Sequence, residues 1–155
     1  MDRWFKESIS DQIKRNRLRV WCAVSDDDDL IGFYGLSAHS VVPQSASALA
    51  ARRERHPIPA IYLAALATHI AHQGQGLGGA LLADALTRSY SVSNDIGAAA
   101  VILDVLEDEA HAKRRFFYER IGFMTLDPDH HPNRMYMPMK AVEAQITMLA
   151  QPLSS

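Results

Sequence analysis

The sequence predicts an α/β fold built on a mixed central sheet, and two observations carry that expectation. The first is the stretch 60–79, AIYLAALATHIAHQGQGLGG. An apolar run enters a glycine-rich turn, and Leu77, Leu81, Leu82, Ala85 and Leu86 follow at helical spacing. It reads strand, glycine loop, helix, with the strand apolar enough to be buried on both faces. The second is the alternation of helix and strand patterns along the chain, with antiparallel pieces at both ends.

The elements follow in order. Trp4, Phe5, Ile9 and Ile13 recur at three- and four-residue spacing, which predicts a helix over 3–16. Leu18 to Val24 predicts a strand, and Leu30 to Leu36 its return. Asp26 to Asp29 between them reads as a solvated hairpin turn, since four adjacent acids in a turn do not converge on one ion. Residues 44–55 predict a short helix with a basic end, broken by Pro57 and Pro59. The buried strand and glycine loop come next, and the helix they lead into ends at Asn94-Asp95-Ile96-Gly97. Ala98 to Leu103 is a second buried strand, and 109–121 a helix stopped by Gly122. Phe123 to Leu126 and Arg134 to Met139 are two short strands around an Asp/Pro/His loop, before a weakly helical tail from Ala141.

At 155 residues the chain is expected to form one domain, 1–155. Its 48% apolar and 22% charged residues suit a globule able to bury a core. No apolar run approaches the ~20 residues that span a bilayer, and the first six residues lack the shape of a signal peptide. One cysteine, Cys22, excludes an internal disulfide and suits the cytoplasm; in a strand it reads as a small core residue. The net charge of −2 does not advertise nucleic acid, so any basic surface must be local.

A helix that opens on glycines presents free backbone N–H groups and the positive end of its dipole, which suits a phosphate. There is no G-x-x-x-x-G-K-[ST], and the glycines at 74, 76, 78 and 79 do not form the dinucleotide fingerprint. The spacing that fits is Gln73-x-x-Gly76-x-Gly78. With Phe117-Tyr118-Glu119-Arg120-Ile121-Gly122-Phe123 one strand later, it resembles the GNAT (Gcn5-related) N-acetyltransferases over roughly 18–139. That resemblance implies a mostly antiparallel sheet with helices on both faces. It also implies a V-shaped splay between two parallel strands, here 61–68 and 98–103, with acetyl-CoA in the gap. Its pantetheine arm would pair with main chain near Leu66, Ala67 and Thr68, a form of strand addition. Gln73, Gly74, Gln75, Gly76, Leu77, Gly78 and Gly79 would form the pyrophosphate loop. Tyr118 resembles the family tyrosine that faces the CoA sulfur, and a phenol of pKa near ~10 is protonated at neutral pH and can act as general acid.

No general base stands out. Glu107, Asp108, Glu109 and His111 precede the Tyr118 helix and read as solvated loop residues; His69 and His72 lack a completing ligand set, so no metal is expected. Absence of a strong base favours an α-amine over a lysine, because an α-amino group is about one-third neutral near pH 7.5 and a lysine about 0.1%.

Three further pieces, Ile31 to Ala38, His56-Pro57-Ile58-Pro59 and Leu66-Ala67, resemble the toxin branch of the family. Those enzymes acetylate the α-amine of aminoacyl-tRNA and are restrained by a ribbon-helix-helix antitoxin. Two features depart from that branch: the slightly acidic balance, and an N-terminus that begins at the first helix without the family's usual first strand. The alternatives are an acetyltransferase of a small-molecule or peptide amine, and a non-catalytic acyl-CoA-binding module. A tRNA would meet Arg52, Arg53, Arg55, Arg88, Lys113, Arg114 and Arg115. The acceptor side would be lined by about 39–56 and 126–134, which carry no readable code, and exposed strands permit a homodimer.

Overall fold

The structure, a computed structural model, describes residues 3–150, with side chains for 6–148. The side chains of Trp4 and Phe5 lie outside the described residues. The helices are α1 (Arg3–Lys14), α2 (Leu77–Ile96), α3 (His111–Ile121) and α4 (Met139–Ala150). The strands are β1 (Arg19–Val24), β2 (Leu30–Val41), β3 (Ile58–Thr68), β4 (Ala100–Asp104), β5 (Met124–Asp127) and β6 (His131–Pro138). They form one sheet in the order β1-β2-β3-β4-β6-β5. Every neighbouring pair is antiparallel except β3 with β4. Among the described residues no helix is long and apolar enough to cross a membrane.

The parallel pair positions the site. β3 and β4 meet only at Ile61–Val101 and Tyr62–Ile102. Just beyond, the register of β3 against β2 slips: Leu36 faces Leu63 but Gly35 faces Ala65, which leaves Ala64 as an extra residue. A bulge bends its strand, and β3 turns away from β4 there. From Leu63 to Thr68 β3 is paired only with β2, so its N–H and C=O groups on the β4 side are open. This corrects the expectation of a strand buried on both faces. Ile58, Ala60, Ile61 and Leu63 are buried, whereas Ala64 is exposed and Leu66 to Thr68 are half-buried, because the sheet is split beside them.

α2, α3 and α4 pack on one face. Leu81, Leu82, Ala85 and Leu86 of α2 and Val142 of α4 close over Ile61, Leu63, Val101, Leu103, Met135 and Met137. The other face holds a second cluster, in which Ala46, Leu49 and Ala50 cover Ile58, Ala60, Ala100, Ile102 and Tyr136. The cover is not the helix predicted over 44–55. A 3-10 turn at Pro43–Ser45 gives way to irregular backbone, and Arg53 adopts φ 64°. Pinning Ala46 and Leu49 to the sheet outweighs the helical propensity of an alanine-rich run. Cys22 is exposed on the edge strand β1, not in the core, because its neighbours Trp21 and Ala23 are the ones that pack against the sheet's core.

Candidate active site

The glycine loop is built by backbone conformations that need glycine. Gly74 and Gly76 hold φ 81° and 79°, where an L side chain is strained. Gly76 offers no capping side chain, and Ala80 is the first N–H of α2 to donate within the helix, to Gly76 O at 3.1 Å. The N–H groups of Leu77, Gly78 and Gly79 are therefore left to an external acceptor. Gly78 faces Thr68 Cγ2 and Phe117 Cζ at 4.0 and 3.8 Å from an added Cβ, and nothing stands within 4 Å of one at Gly79. Glycine there keeps space open beside those amides.

The space is a half-open cavity of about 410 Å³ between the free edge of β3, the glycine loop and α3. Of the predicted cofactor residues, Leu66, Ala67, Thr68, Gln73, Gly74, Gly76, Leu77, Gly78 and Gly79 line it and Gln75 does not. Tyr118 lines it too, together with Phe117, Ala110, Lys113, Arg114 and His72. The half-buried Tyr118 ring sits edge-on between Phe117 and Phe123, at 5.2 and 5.7 Å between centroids. Burial pushes its phenol up to about 12, against a smaller downward pull from Arg114. The hydroxyl is thus protonated across the physiological range, and among the described residues it has no hydrogen-bond partner.

Of the acids and histidine around the start of α3, Asp108 and His111 are engaged elsewhere. Asp108 grips Arg114 Nη1 at 2.5 Å and caps Ala110 N at 3.0 Å. The ring of His111 meets Asn133 Oδ1 at 2.8 Å. Glu107 and Glu109 do not line the cavity. His69 accepts from Ala71 N at 3.1 Å, with its ring 6.1 Å from that of His72.

The basic residues divide into three groups. Arg52, Arg53 and Arg55 are exposed on the segment that covers the sheet face opposite α2. Lys113 and Arg114 belong to the cavity wall. Arg115 and Arg88 are engaged within the fold. Arg115 bonds Glu119 at 2.9 Å, Pro132 O at 2.8 Å and the Thr125 hydroxyl. Arg88 lies 4.5 Å over the Trp21 ring and donates to the Tyr34 hydroxyl at 3.1 Å.

One polar row was not legible in the sequence. It crosses four strands on the face opposite α2. Asp104 of β4 takes Arg134 Nε and Nη2 of β6 at 2.9 Å each and the Tyr62 hydroxyl of β3 at 2.8 Å. His39 of β2 stacks on Tyr62, with centroids 5.1 Å apart.

Residues 16–125 match the Acetyltransferase (GNAT) domain family. The chain belongs to the GNAT acetyltransferases. It is 32% identical over 152 residues to a Sinorhizobium fredii protein named Probable toxin TacT, spanning 93% of this chain and 82% of that one. It is 35% identical over 120 residues to the tRNA-acetylating toxin of Mycobacterium tuberculosis, spanning 77% of this chain and 69% of that one. The fold matches a crystal structure of a KacT mutant with a TM-score of 0.75 at 26% identity, over 91% of this chain and 82% of that one. For a GNAT domain, a splayed strand edge, an open amide cradle and a protonated tyrosine on one cavity suit acyl transfer from a thioester.

Proposed function

We propose that this chain is an acetyl-CoA-dependent N-acetyltransferase that modifies the α-amine of aminoacyl-tRNA. It would act as a toxin that blocks translation in the cytoplasm, as one catalytic domain restrained by a ribbon-helix-helix antitoxin. The observation that carries the chemistry is the convergence of β3's open edge, the amides of Leu77 to Gly79 and Tyr118 on one cavity. Likeness to a tRNA-acetylating toxin over 77% of the chain supports the acceptor.

Each part of the cavity has a role in this reading. The free edge of β3 around Leu66 to Thr68 holds the pantetheine amides and presents N–H groups to the carbonyl under attack. The first turn of α2 holds the pyrophosphate. Tyr118 gives its proton to the departing thiolate. Among the described residues no carboxylate lines the cavity, which favours an acceptor that arrives largely neutral, as an α-amine does near pH 8.

A pH profile follows. The transfer rate should climb with pH through the acceptor's own pKa, about 7.7–8.0 for an α-amine, and then level off. The Tyr118 phenol at about 12 imposes no descending limb up to about pH 10, where an unshifted tyrosine would be half ionised. Stopped-time transfer assays across that range check it. A fall in rate beginning near pH 9 would mean that the acid titrates like an ordinary phenol, and that burial does not hold Tyr118 up.

Electrostatics gives a second expectation. Rates with charged tRNA should fall steeply with salt, because each neutralised phosphate releases counterions. Replacing Arg52, Arg53 and Arg55 together should flatten the logarithmic salt slope by about one per lost phosphate contact. An unchanged slope would remove those arginines from the tRNA surface. The experiment for the function as a whole is transfer of label from acetyl-CoA to charged tRNA.

A further inference from the structure

The cavity lies on the face of the sheet that carries α2 and α3, and an acceptor coming from the opposite face would meet the V without displacing a cofactor held there. That face carries the His39–Tyr62 stack, near-parallel at 30° and half-buried, at the apex of the V. Tyr62 is the last β3 residue paired with β4. Its hydroxyl is fixed by Asp104, which Arg134 holds in turn, so the ring is immobilised at both ends. Arg134 and Asp104 largely cancel one another. His39 is held below its ordinary range by burial and by Arg134, against the pull of Asp104, so the imidazole is neutral at physiological pH. What remains is a flat, uncharged, rigid π surface, half open to solvent. Leu49 and Ala50, which pack on the same cluster as Tyr62, lead along the chain to exposed Arg52, Arg53 and Arg55.

Distance decides what this surface can do. Leu66 lies four steps beyond Tyr62 along β3, which at strand rise and with the bulge at Ala64 is roughly 10–13 Å. That is too far for His39 to take a proton from an amine reacting beside Leu66. It is the reach from an ester-linked amino group, across one ribose, to the base of the same nucleotide. Aromatic platforms flanked by cations are how proteins hold unpaired nucleotides, since every base offers a π face and the cations meet the phosphates.

We propose that the His39–Tyr62 stack is the platform for the terminal base of the acceptor's single-stranded 3′ end, with Arg52, Arg53 and Arg55 taking the adjoining phosphates. This rests on the aminoacyl-tRNA reading and names the part of that acceptor recognised apart from the amine.

The test compares kcat/KM for a charged tRNA with that for the methyl ester of the same amino acid, which has the amine and no base. His39→Ala should lower the ratio of the two by about ten-fold or more, the effect expected of one lost base stack. His39→Phe, which keeps a ring, should hold the ratio near the parent value. Calorimetry with acetyl-CoA reports whether each variant is folded. Should His39→Ala fail to bind it, His39→Leu, which restores bulk without a π face, must show the fall. A ratio unmoved by loss of the ring overturns the platform, and so does a parallel fall with both acceptors. If the parent chain acetylates the ester and no charged tRNA, the aminoacyl-tRNA reading fails, and the platform with it.

Discussion

Tyr118→Phe should bind acetyl-CoA as tightly as the parent chain and transfer the acetyl group about 10²–10⁴-fold more slowly, the usual loss on removing a general acid. The two halves of this result have separate causes. Binding survives because the ring does the packing. Its edge contacts with Phe117 and Phe123 need no hydroxyl, and among the described residues that hydroxyl forms no hydrogen bond whose loss could unsettle the fold. Rate falls because the thiolate then leaves without a proton donor beside it. Single-turnover transfer, paired with calorimetry for affinity, separates the two effects. Transfer at the parent rate would make Tyr118 a packing residue and assign the proton to water or to the acceptor itself.

Gly78→Val should leave the fold standing and abolish most acetyl-CoA affinity. At Gly78 the new Cβ meets Phe117 and Thr68 at 3.8 and 4.0 Å, ordinary contact distances, and because Gly78 lines the cavity the added bulk takes up space there. Helix propensity slightly favours the substitution. If the side chain keeps a pyrophosphate from two amides, the loss is about 1.5–3 kcal/mol each, or roughly 10²-fold or more in affinity. Gly76 is the poorer test. Its φ of 79° means any side chain strains the backbone as well, so lost binding and lost stability would be entangled. An unchanged melting temperature with acetyl-CoA affinity within a few-fold of the parent would remove the glycine loop from the site.

Local motifs and the elements that carry them were legible in the sequence, and cross-strand placement was not. The strand, glycine loop and helix at 60–79 announce themselves because Gly74 and Gly76 take left-handed backbone that glycine adopts without strain. The Phe117–Phe123 stretch was equally plain, since the residues that end α3 also place Tyr118. The 44–55 segment misled because its alanines resemble a helix, while contact with the sheet face sets its path. The polar row of His39, Tyr62, Asp104 and Arg134 left no trace. Its members lie on four strands, and only the register brings them together. The same holds for Arg88 and Arg115. Their charges looked available for phosphate, but contacts with residues distant in sequence engage them.

Acetylation of the α-amine of an aminoacyl-tRNA leaves the acetyl group on the amino acid itself. The direct measurement is to incubate the chain with labelled acetyl-CoA and the full set of charged tRNAs, release the aminoacyl group by mild base, and identify what carries label. N-acetylated amino acid should be released from one or more tRNAs, with at least about 10²-fold less formed by Tyr118→Phe at matched early times. Label on free small amines or peptides, and on no aminoacyl group across the whole set, would contradict the aminoacyl-tRNA reading.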